Sequence, residues 1–292
     1  MYNNQQSGGI SSNLVFGLII VAVMAIILIG ILIMPTNSGK SGSKIQVGDS
    51  VLLSELEDGA TRKYILTLNR VSPHAGKRLE AKAIKAIANG DGKADLAILA
   101  MEAMDDELPA YLSSLKKADV KHFDAMLQLS ERGLGQLRRS NSKWCKAGHY
   151  ERFENLSPAE AEELVKGAFT YPSAGFAWGA ELNTIFLEAV EDAKSNPKSY
   201  GKLQSSDERA LQALAMKLMT HPSVKNLSKI KARNRQEAKR IMGNMDICGL
   251  AMTGIDAVQG LPKQTRGRLW ATGLKEIDGN NLERQLRKLS AF

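Results

Sequence analysis

Two residues of this chain have the types and spacing of a catalytic pair. Cys145 and His149 are four positions apart, so on a helix the imidazole would reach the thiol and activate it as a nucleophile. We prefer the plainer interpretation, a buried thiol beside an exposed histidine. The other histidines, His74, His122 and His221, are too widely spaced to form a metal-binding helix of the HExxH type.

A carboxylate beside an aromatic segment is the second candidate. Glu181 follows residues 171–179, which read YPSAGFAWG and would line a cleft where burial favours the protonated carboxyl group. This arrangement suggests an anchored hydrolase of the cell-wall type, which also needs a second polar group within about 10 Å. For Phe176 and Trp178 we prefer a place in the core or on an interaction surface, where large aromatic side chains contribute most.

Two loops resemble ligand-binding motifs but lack the residues that complete them. Gly39-Lys40-Ser41 matches the end of a phosphate-binding loop, which also needs a glycine at the position of Met34. Residues 89–93 read NGDGK, yet Ala94 and Ala100 stand where a calcium loop requires a glycine and a bidentate glutamate. We interpret the two segments as linker and turn, and we expect no metal ion and no other cofactor.

The chain has two cysteines, Cys145 and Cys248, and neither belongs to a CxxC pair. In an oxidising compartment they would form one disulfide that closes a long loop, worth about 4–5 kcal/mol in the chain-entropy model. In the cytosol they would remain two buried thiols. The sequence leaves both states open.

The net charge of +8 comes from the last quarter of the chain. From Lys217 onward there are 15 basic and 6 acidic residues. The densest part of this quarter contains Lys225, Lys229, Lys231, Arg233, Arg235, Lys239 and Arg240. Such a basic helix attracts anionic lipid, an acidic protein surface or nucleic acid, and for a tethered domain the first two are the nearer partners.

Residues 14–34 have the composition of a membrane-spanning helix. They read LVFGLIIVAVMAIILIGILIM, 21 residues without a charge, and Pro35 follows directly. At ~1.5 Å per residue this is about 31 Å of helix, close to the roughly 30 Å of a hydrocarbon core. A cleaved signal peptide would need a basic start and a shorter apolar run. We therefore predict a single-pass protein with a polar tail at residues 1–13 and a polar linker at residues 35–44.

The sequence gives conflicting indications of membrane sidedness. Lys40 and Lys44 follow the span, which by the positive-inside rule favours a cytoplasmic domain. The cysteine pair suits an oxidising space, and we lean to the extracytoplasmic, periplasmic side on that ground.

Residues 45–75 predict a small β-hairpin or an extended segment. Residues 45–52 and 62–71 are rich in β-branched and aromatic residues, and Asp58-Gly59 between them is a turn signal. A hairpin alone would be marginally stable in water.

Residues 76–292 predict a multi-helix domain, since apolar residues recur three and four positions apart between short polar joints. Ser157 to Glu160 and Ser205 to Glu208 have the spacing of helix N-caps. Helices should end before Asn196-Pro197 and near His221-Pro222. Besides those after the two caps, the predicted helices of this half are 180–194, 228–242, 246–258, 266–274 and 281–289.

Taken together, these features predict a mainly α protein without convergent catalytic chemistry. We expect a membrane-anchored helical scaffold, or an interaction subunit, of a larger membrane-associated assembly that contains other protein subunits. The alternatives from other classes are the anchored hydrolase that uses Glu181 and a membrane-tethered nucleic-acid-binding protein that uses the basic helix 225–240.

Overall fold

Helix caps and helical spacing of apolar residues determine the architecture. The computed structural model describes residues 50–105, 107–150, 170–220, 222 and 243–277. Across these ranges the protein is mainly helical and contains no strand, as the pattern of apolar residues predicts. A 3-10 turn spans Lys143–Cys145. The α-helices are α1 (Val51–Glu55), α2 (Gly59–Val71), α3 (Pro73–Ala88), α4 (Lys93–Asp105), α5 (Leu108–Leu115), α6 (Val120–Arg139), α7 (Ala147–Tyr150), α8 (Ala174–Ser195), α9 (Ser205–Met219), α10 (Ile247–Gln259) and α11 (Lys263–Ile277).

Several predicted segments lie outside the described residues. They include the span at residues 14–34, its flanking tail and linker, and the helix predicted after Ser157. The helices predicted at 228–242 and 281–289 also lie outside them. Among the helices in the described ranges, none combines the length and the hydropathy that crossing a bilayer requires.

The predicted β-hairpin is wrong, because residues 51–71 form α1 and α2. Asp58-Gly59 is a helix start rather than a turn: the Asp58 carboxylate accepts a 2.8 Å hydrogen bond from the Thr61 N–H. Tyr64 and Ile65 are among the aromatic and β-branched residues that suggested a strand, but together with Leu68 they are spaced to share one helix face, and all three are buried. Helical periodicity therefore outweighs β-propensity here.

Helix α8 is the centre of the domain and packs against α2, α5 and α6. It begins six residues earlier than predicted, because Ser173 accepts a 3.1 Å hydrogen bond from the Phe176 N–H and caps the helix. Gly179 allows close packing, since a Cβ there would lie 2.9 Å from the Met101 Cε. The helix ends at Ser195, before Asn196-Pro197 as predicted.

Contacts along α8 define the two ends of the bundle. Helix α6 is antiparallel to α8: Gly133 lies against the Trp178 ring, whereas His122 lies beside Asp192. Helix α2 runs in the same direction as α8, because the Lys63–Glu188 pair precedes the Arg70–Glu191 pair along both helices. The starts of α2 and α8 therefore lie toward the end of the bundle where α6 finishes.

Helices α9 to α11 complete the described fold, with α10 and α11 on α6 and α9 on α10. Trp270 of α11 stacks on Phe123 at 5.2 Å between ring centroids, and its Nε1–H donates to the Leu115 carbonyl at 2.9 Å. Helix α9 is capped one residue earlier than predicted, by Gln204 and Asp207 instead of Ser205 and Glu208. It ends at Met219, close to the predicted stop at His221-Pro222.

Candidate functional site

The two cysteines form a disulfide in the structure. The Sγ atoms of Cys145 and Cys248 are bonded at 1.98 Å, and the bridge joins the 3-10 turn after α6 to the first turn of α10. A bonded sulfur cannot act as a thiolate nucleophile, so the hypothetical pair with His149 is wrong. The imidazole of His149 instead packs edge-on against Trp144, with 4.7 Å between ring centroids.

Polar contacts surround this disulfide. Asp246 accepts a 2.7 Å hydrogen bond from the Arg138 Nε of α6 and a 2.9 Å hydrogen bond from the Gly249 N–H of α10. The same carboxylate therefore forms an ion pair with α6 and caps the start of α10. Its backbone also forms an isolated antiparallel bridge with Lys146. The end of α6, the 3-10 turn and the start of α10 are thus held as one unit.

Three basic residues close to this unit are exposed: Arg139, Lys143 and Lys146. Lys143 is exposed, and its Nζ lies 5.8 Å from the centroid of the half-buried Trp144 ring. Leu137 is 38% exposed, and Leu66, Ile84 and Met216 are also exposed among the described residues.

Glu181 does not occupy the position that a hydrolase would require. Its side chain is 49% exposed on α8, and one carboxylate oxygen lies 3.8 Å from the Arg132 guanidinium. The aromatic stretch before it is the start of α8 rather than the wall of a cleft. Glu181 is therefore not buried in a cleft, which is the position that the hydrolase hypothesis expects.

The two aromatic residues proposed for an interaction surface lie largely inside the domain. Phe176 is 2% exposed and packs edge-on against Tyr171, so it is not accessible to a partner. Trp178 is half-buried, contacts the core and lies against Gly133 of α6. The core interpretation is therefore the better one for Phe176, while Trp178 retains a partly exposed ring.

The basic residues complete the set proposed for an interaction surface. Lys225, Lys229, Lys231, Arg233, Arg235, Lys239 and Arg240 all lie outside the described residues.

A buried ion pair that the sequence did not suggest joins α9 to α11. The Asp207 carboxylate, 1% exposed, accepts bonds of 2.6 and 2.8 Å from the Arg268 guanidinium and one of 2.6 Å from the Thr265 hydroxyl. The hydrogen bonds from Arg268 hold the pKa of Asp207 far below its ordinary value, although burial opposes the charge. A similar bidentate pair joins Arg266 of α11 to Asp124 of α6 at 2.7 and 2.8 Å.

A third polar cluster lies between the start of α6 and the end of α8. The Asp192 carboxylate accepts 3.1 Å hydrogen bonds from the Asp119 N–H and the Lys121 Nζ. The His122 Nε2 is buried 3.4 Å from Asp192 and forms no hydrogen bond within the described part of the chain. Burial lowers the pKa of His122, because the charged imidazolium loses hydration there.

A fourth cluster centres on Glu107, just before α5. Its carboxylate accepts hydrogen bonds from Ser72 at 3.0 Å, from Tyr111 at 3.2 Å and from the Arg78 guanidinium. Burial raises the pKa of Glu107, but hydrogen bonds from Arg78 and Ser72 outweigh burial and leave the pKa below its usual value. The cluster connects α3 to α5, and Lys194 of α8 lies 5.2 Å from the Tyr111 ring centroid.

These clusters have in common that each links helices distant in sequence. The hydrogen-bonded partners are 61 positions apart for Asp207 and Arg268, and 142 apart for Asp124 and Arg266. Sequence motifs describe residues that are close in the chain, so they could not predict pairs this far apart. Within the described ranges, no three His, Cys, Asp or Glu residues are placed to hold a metal ion.

An open groove of about 330 Å³ lies where α2 ends beside α8, lined by Arg70, Val71, Glu191, Lys194 and Ser195. Arg70 and Glu191 form a bidentate ion pair across it, with both distances 2.9 Å. The groove thus has the character of a solvated surface between two helices. Comparisons of the chain with protein-family models, curated proteins and solved structures find no match.

Proposed function

We propose that this protein is a membrane-anchored helical scaffold, or interaction subunit, of a larger membrane-associated assembly, and that it has no catalytic activity. The proposed anchor is the uncharged stretch 14–34, whose composition is that of a single-pass span. If residues 35–50 were fully extended, they would span ~55 Å, and this length is the upper limit on the distance between the bilayer and the domain.

The main support for this proposal is that the buried charged side chains form ion pairs and hydrogen bonds between helices. Asp207 with Arg268 and Asp124 with Arg266 each tie one helix to another through bidentate hydrogen bonds. The Glu107 carboxylate likewise accepts hydrogen bonds from Ser72, from Arg78 of α3 and from Tyr111 of α5. Catalytic carboxylates need a face open to substrate, whereas charges saturated in this way support a rigid body that offers its outer surface to partners.

The Cys145–Cys248 disulfide supports an extracytoplasmic position of the domain. Disulfides persist in oxidising compartments and are rare where thiol reductants are abundant. We therefore propose that the helical domain lies on the periplasmic side of the membrane, with its partners at or near the same bilayer.

Carbonate extraction and flotation of the full chain test the anchor. Wild type should remain with membranes, and Ile27→Arg should release part of it, because a charge at the span centre costs about 2.5–3.5 kcal/mol. Ser41→Arg, in the linker, is the matched control and should behave as wild type. Full extraction of wild-type chain without detergent would contradict the anchor.

Sidedness is tested by trapping thiols in intact cells with a permeant maleimide and comparing gel mobility without reductant. The proposal expects the bonded form, with Cys145→Ser as the marker for the unbonded form. Free thiols in cells would contradict the periplasmic assignment.

Native electrophoresis after mild detergent extraction tests the scaffold role. The chain should migrate with other subunits in a complex, and that complex should be lost on the Ile27→Arg substitution. Migration as a lone monomer would contradict the scaffold role. It would favour one of the two alternatives, the anchored hydrolase or the nucleic-acid-binding protein.

A further inference from the structure

His122 is a buried histidine in the first turn of α6. It is 8% exposed, and its Nε2 lies 3.4 Å from an oxygen of the Asp192 carboxylate of α8. This nitrogen forms no hydrogen bond within the described part of the chain, although buried polar atoms in folded proteins nearly always have a partner. The Nε2 is therefore able to take up a proton directly beside a carboxylate.

The Asp192 carboxylate already has two other partners. It accepts a 3.1 Å hydrogen bond from the Asp119 N–H, just before α6, and another of 3.1 Å from the Lys121 Nζ. A proton on the His122 Nε2 would place a second cation beside the carboxylate that Lys121 contacts, and it would compete with the Asp119 N–H for the same oxygens. Protonation would thus alter the contacts that hold the end of α8 on the start of α6.

Charged groups from the surrounding helices also lie near this histidine. Glu188 of α8 is 3.3 Å from Lys63 of α2. Lys198 of the α8–α9 connection and Lys263 of α11 each lie 3.9 Å from the Asp119 carboxylate. These two carboxylates are thus engaged by lysines.

Burial is the largest influence on the pKa of His122, and it lowers that pKa because the imidazolium loses hydration. The carboxylates Asp192 and Glu188 act in the opposite direction, whereas Lys121 adds to the lowering. Since the pKa is lowered overall, uptake of a proton opposes the closed arrangement, and its effect appears as pH falls below the ordinary histidine value of about 6.5.

The α8–α9 connection is attached to the chain just before this histidine. The Lys198 N–H donates to the Lys117 carbonyl at 2.7 Å. The Tyr200 hydroxyl donates to the Ala118 carbonyl at 3.0 Å and accepts from the Val120 N–H at 2.7 Å. We call these three hydrogen bonds the α6 junction.

Few buried side chains fix the α8–α9 connection. None of residues 196–202 is fully buried, and the Tyr200 ring that packs against Gly267 is itself half-buried. By contrast, Leu182, Leu187 and Val190 of α8 are completely buried. Segments that depend on hydrogen bonds and bury little apolar surface open more readily than a core helix.

We propose that a proton bound by His122 opens the α6 junction, so that this end of the domain loosens in mild acid while the rest of the bundle stays folded. The Asp119 N–H, which Asp192 holds, lies between the Ala118 carbonyl and the Val120 N–H that bind Tyr200. Loss of the Asp192 contact therefore frees the backbone of the α6 junction. The histidine acts as a pH sensor, and this role is independent of the proposed anchor and scaffold.

Hydrogen exchange of the full chain in detergent micelles, followed by mass spectrometry at pH 7.5 and 5.5, tests the proposal. Labelling times are scaled to the intrinsic exchange rate at each pH. Peptides that contain the Val120 or the Lys198 amide should exchange about three- to tenfold faster at pH 5.5, since a histidine of ordinary pKa about 6.5 shifts the opening equilibrium by at most about tenfold over this interval. Peptides from the centre of α8, residues 182–190, should be unchanged.

Two histidine variants provide the matched comparison. His122→Gln should remove the pH dependence of the α6 junction, whereas His74→Gln, at an exposed histidine of α3, should retain it. Circular dichroism verifies that both variants are folded. If His122→Gln does not fold, His122→Asn replaces it, and the position of the pH-dependent exchange in the wild-type chain still decides.

Three outcomes would overturn the proposal. The first is equal protection of the Val120 and Lys198 amides at both pH values in the wild-type chain. The second is a loss of protection that extends through residues 182–190, which would show global unfolding instead of local opening. The third is the same acid response in folded His122→Gln, which would assign the response to another group.

Discussion

Asp207 of α9 and Arg268 of α11 form a buried, doubly hydrogen-bonded ion pair, with nitrogen-to-oxygen distances of 2.6 and 2.8 Å. Thr265 donates a third bond to the same carboxylate, and the Gln204 N–H donates a fourth at 2.8 Å. One carboxylate thus caps α9 and fixes α11 against it. The pair connects the last described helix to the rest of the domain.

Removal of one partner should destabilise the domain strongly. Arg268→Met leaves the Asp207 charge buried without compensation, and we expect a loss of about 3 kcal/mol in the free energy of unfolding. Arg70→Met is the matched control, since the Arg70–Glu191 pair is about half exposed and its loss should cost less than about 0.5 kcal/mol. Urea unfolding of detergent-solubilised full-length chain, followed by circular dichroism, measures both; equal losses would contradict the role of burial.

The same pair predicts an acid-sensitive difference. The pKa of Asp207 is lowered in the folded state, so its ionisation contributes stability that is fully present above the ordinary value of 3.8 and declines as pH falls below it. The stability difference between wild type and Asp207→Asn should therefore be constant from pH 7 to 5 and shrink in stronger acid. A difference that stays unchanged to pH 2.5 would contradict this assignment.

The buried His122 should make the stability of the domain depend on pH near neutrality. Its folded-state pKa is lowered by burial, which outweighs the nearby carboxylates Asp192 and Glu188, so stability should fall as pH drops below about 6.5, the ordinary histidine value. The slope is at most about 1.4 kcal/mol per pH unit. His122→Gln should flatten the curve between pH 7 and 5, and His74→Gln, at an exposed histidine, should not. An identical slope in wild type and His122→Gln would contradict the prediction.

Two glycines should respond oppositely to alanine. A Cβ on Gly267 would lie 2.2 Å from a Tyr200 ring carbon, and that ring is held by hydrogen bonds from its hydroxyl to the Ala118 carbonyl and from the Val120 N–H. Gly267→Ala should lose about 2 kcal/mol through overpacking. Gly254→Ala meets nothing within 4 Å and should gain up to about 1 kcal/mol from higher helix propensity. Thermal unfolding would rank them, and an equal loss in both would refute the packing argument.

The disulfide should stabilise the domain by closing a long loop. Replacement of Cys145 and Cys248 by serine should cost about 4–5 kcal/mol in the chain-entropy model, for a sequence separation of 103. Chemical reduction of wild type should lower its stability to that of the double variant, measured by urea unfolding. If reduction has no effect on the unfolding midpoint, the bond contributes no constraint.

Helices were predictable where a cap and an apolar face coincided in a short segment. Asp246 begins α10 as the pattern at 246–258 indicated, and Asn196-Pro197 marks the end of α8. The segment at 51–71 failed because β-branched residues suggested strands, while the helical spacing of Tyr64, Ile65 and Leu68 was overlooked. Local sequence thus carried both the correct signal and a misleading one.

The polar clusters could not be predicted, for a physical reason. Each depends on which helices become neighbours, and that depends on the packing of the whole domain. Asp124 pairs with Arg266, which is 142 positions later in the chain. The Asp119 N–H donates to the Asp192 carboxylate, and the two residues lie at the start of α6 and near the end of α8.

Helix α8 lies at the centre of the bundle but late in the chain, and this order constrains how the domain can be made and divided. Helices α2, α5 and α6 bury their apolar faces against a segment that leaves the ribosome only after them. Until Ser195 has emerged, the parts of those faces that pack on α8 lack that partner. A truncated product that stops before α8 should therefore be less stable than the full domain, because the apolar faces of α2, α5 and α6 that pack on α8 would be exposed to water.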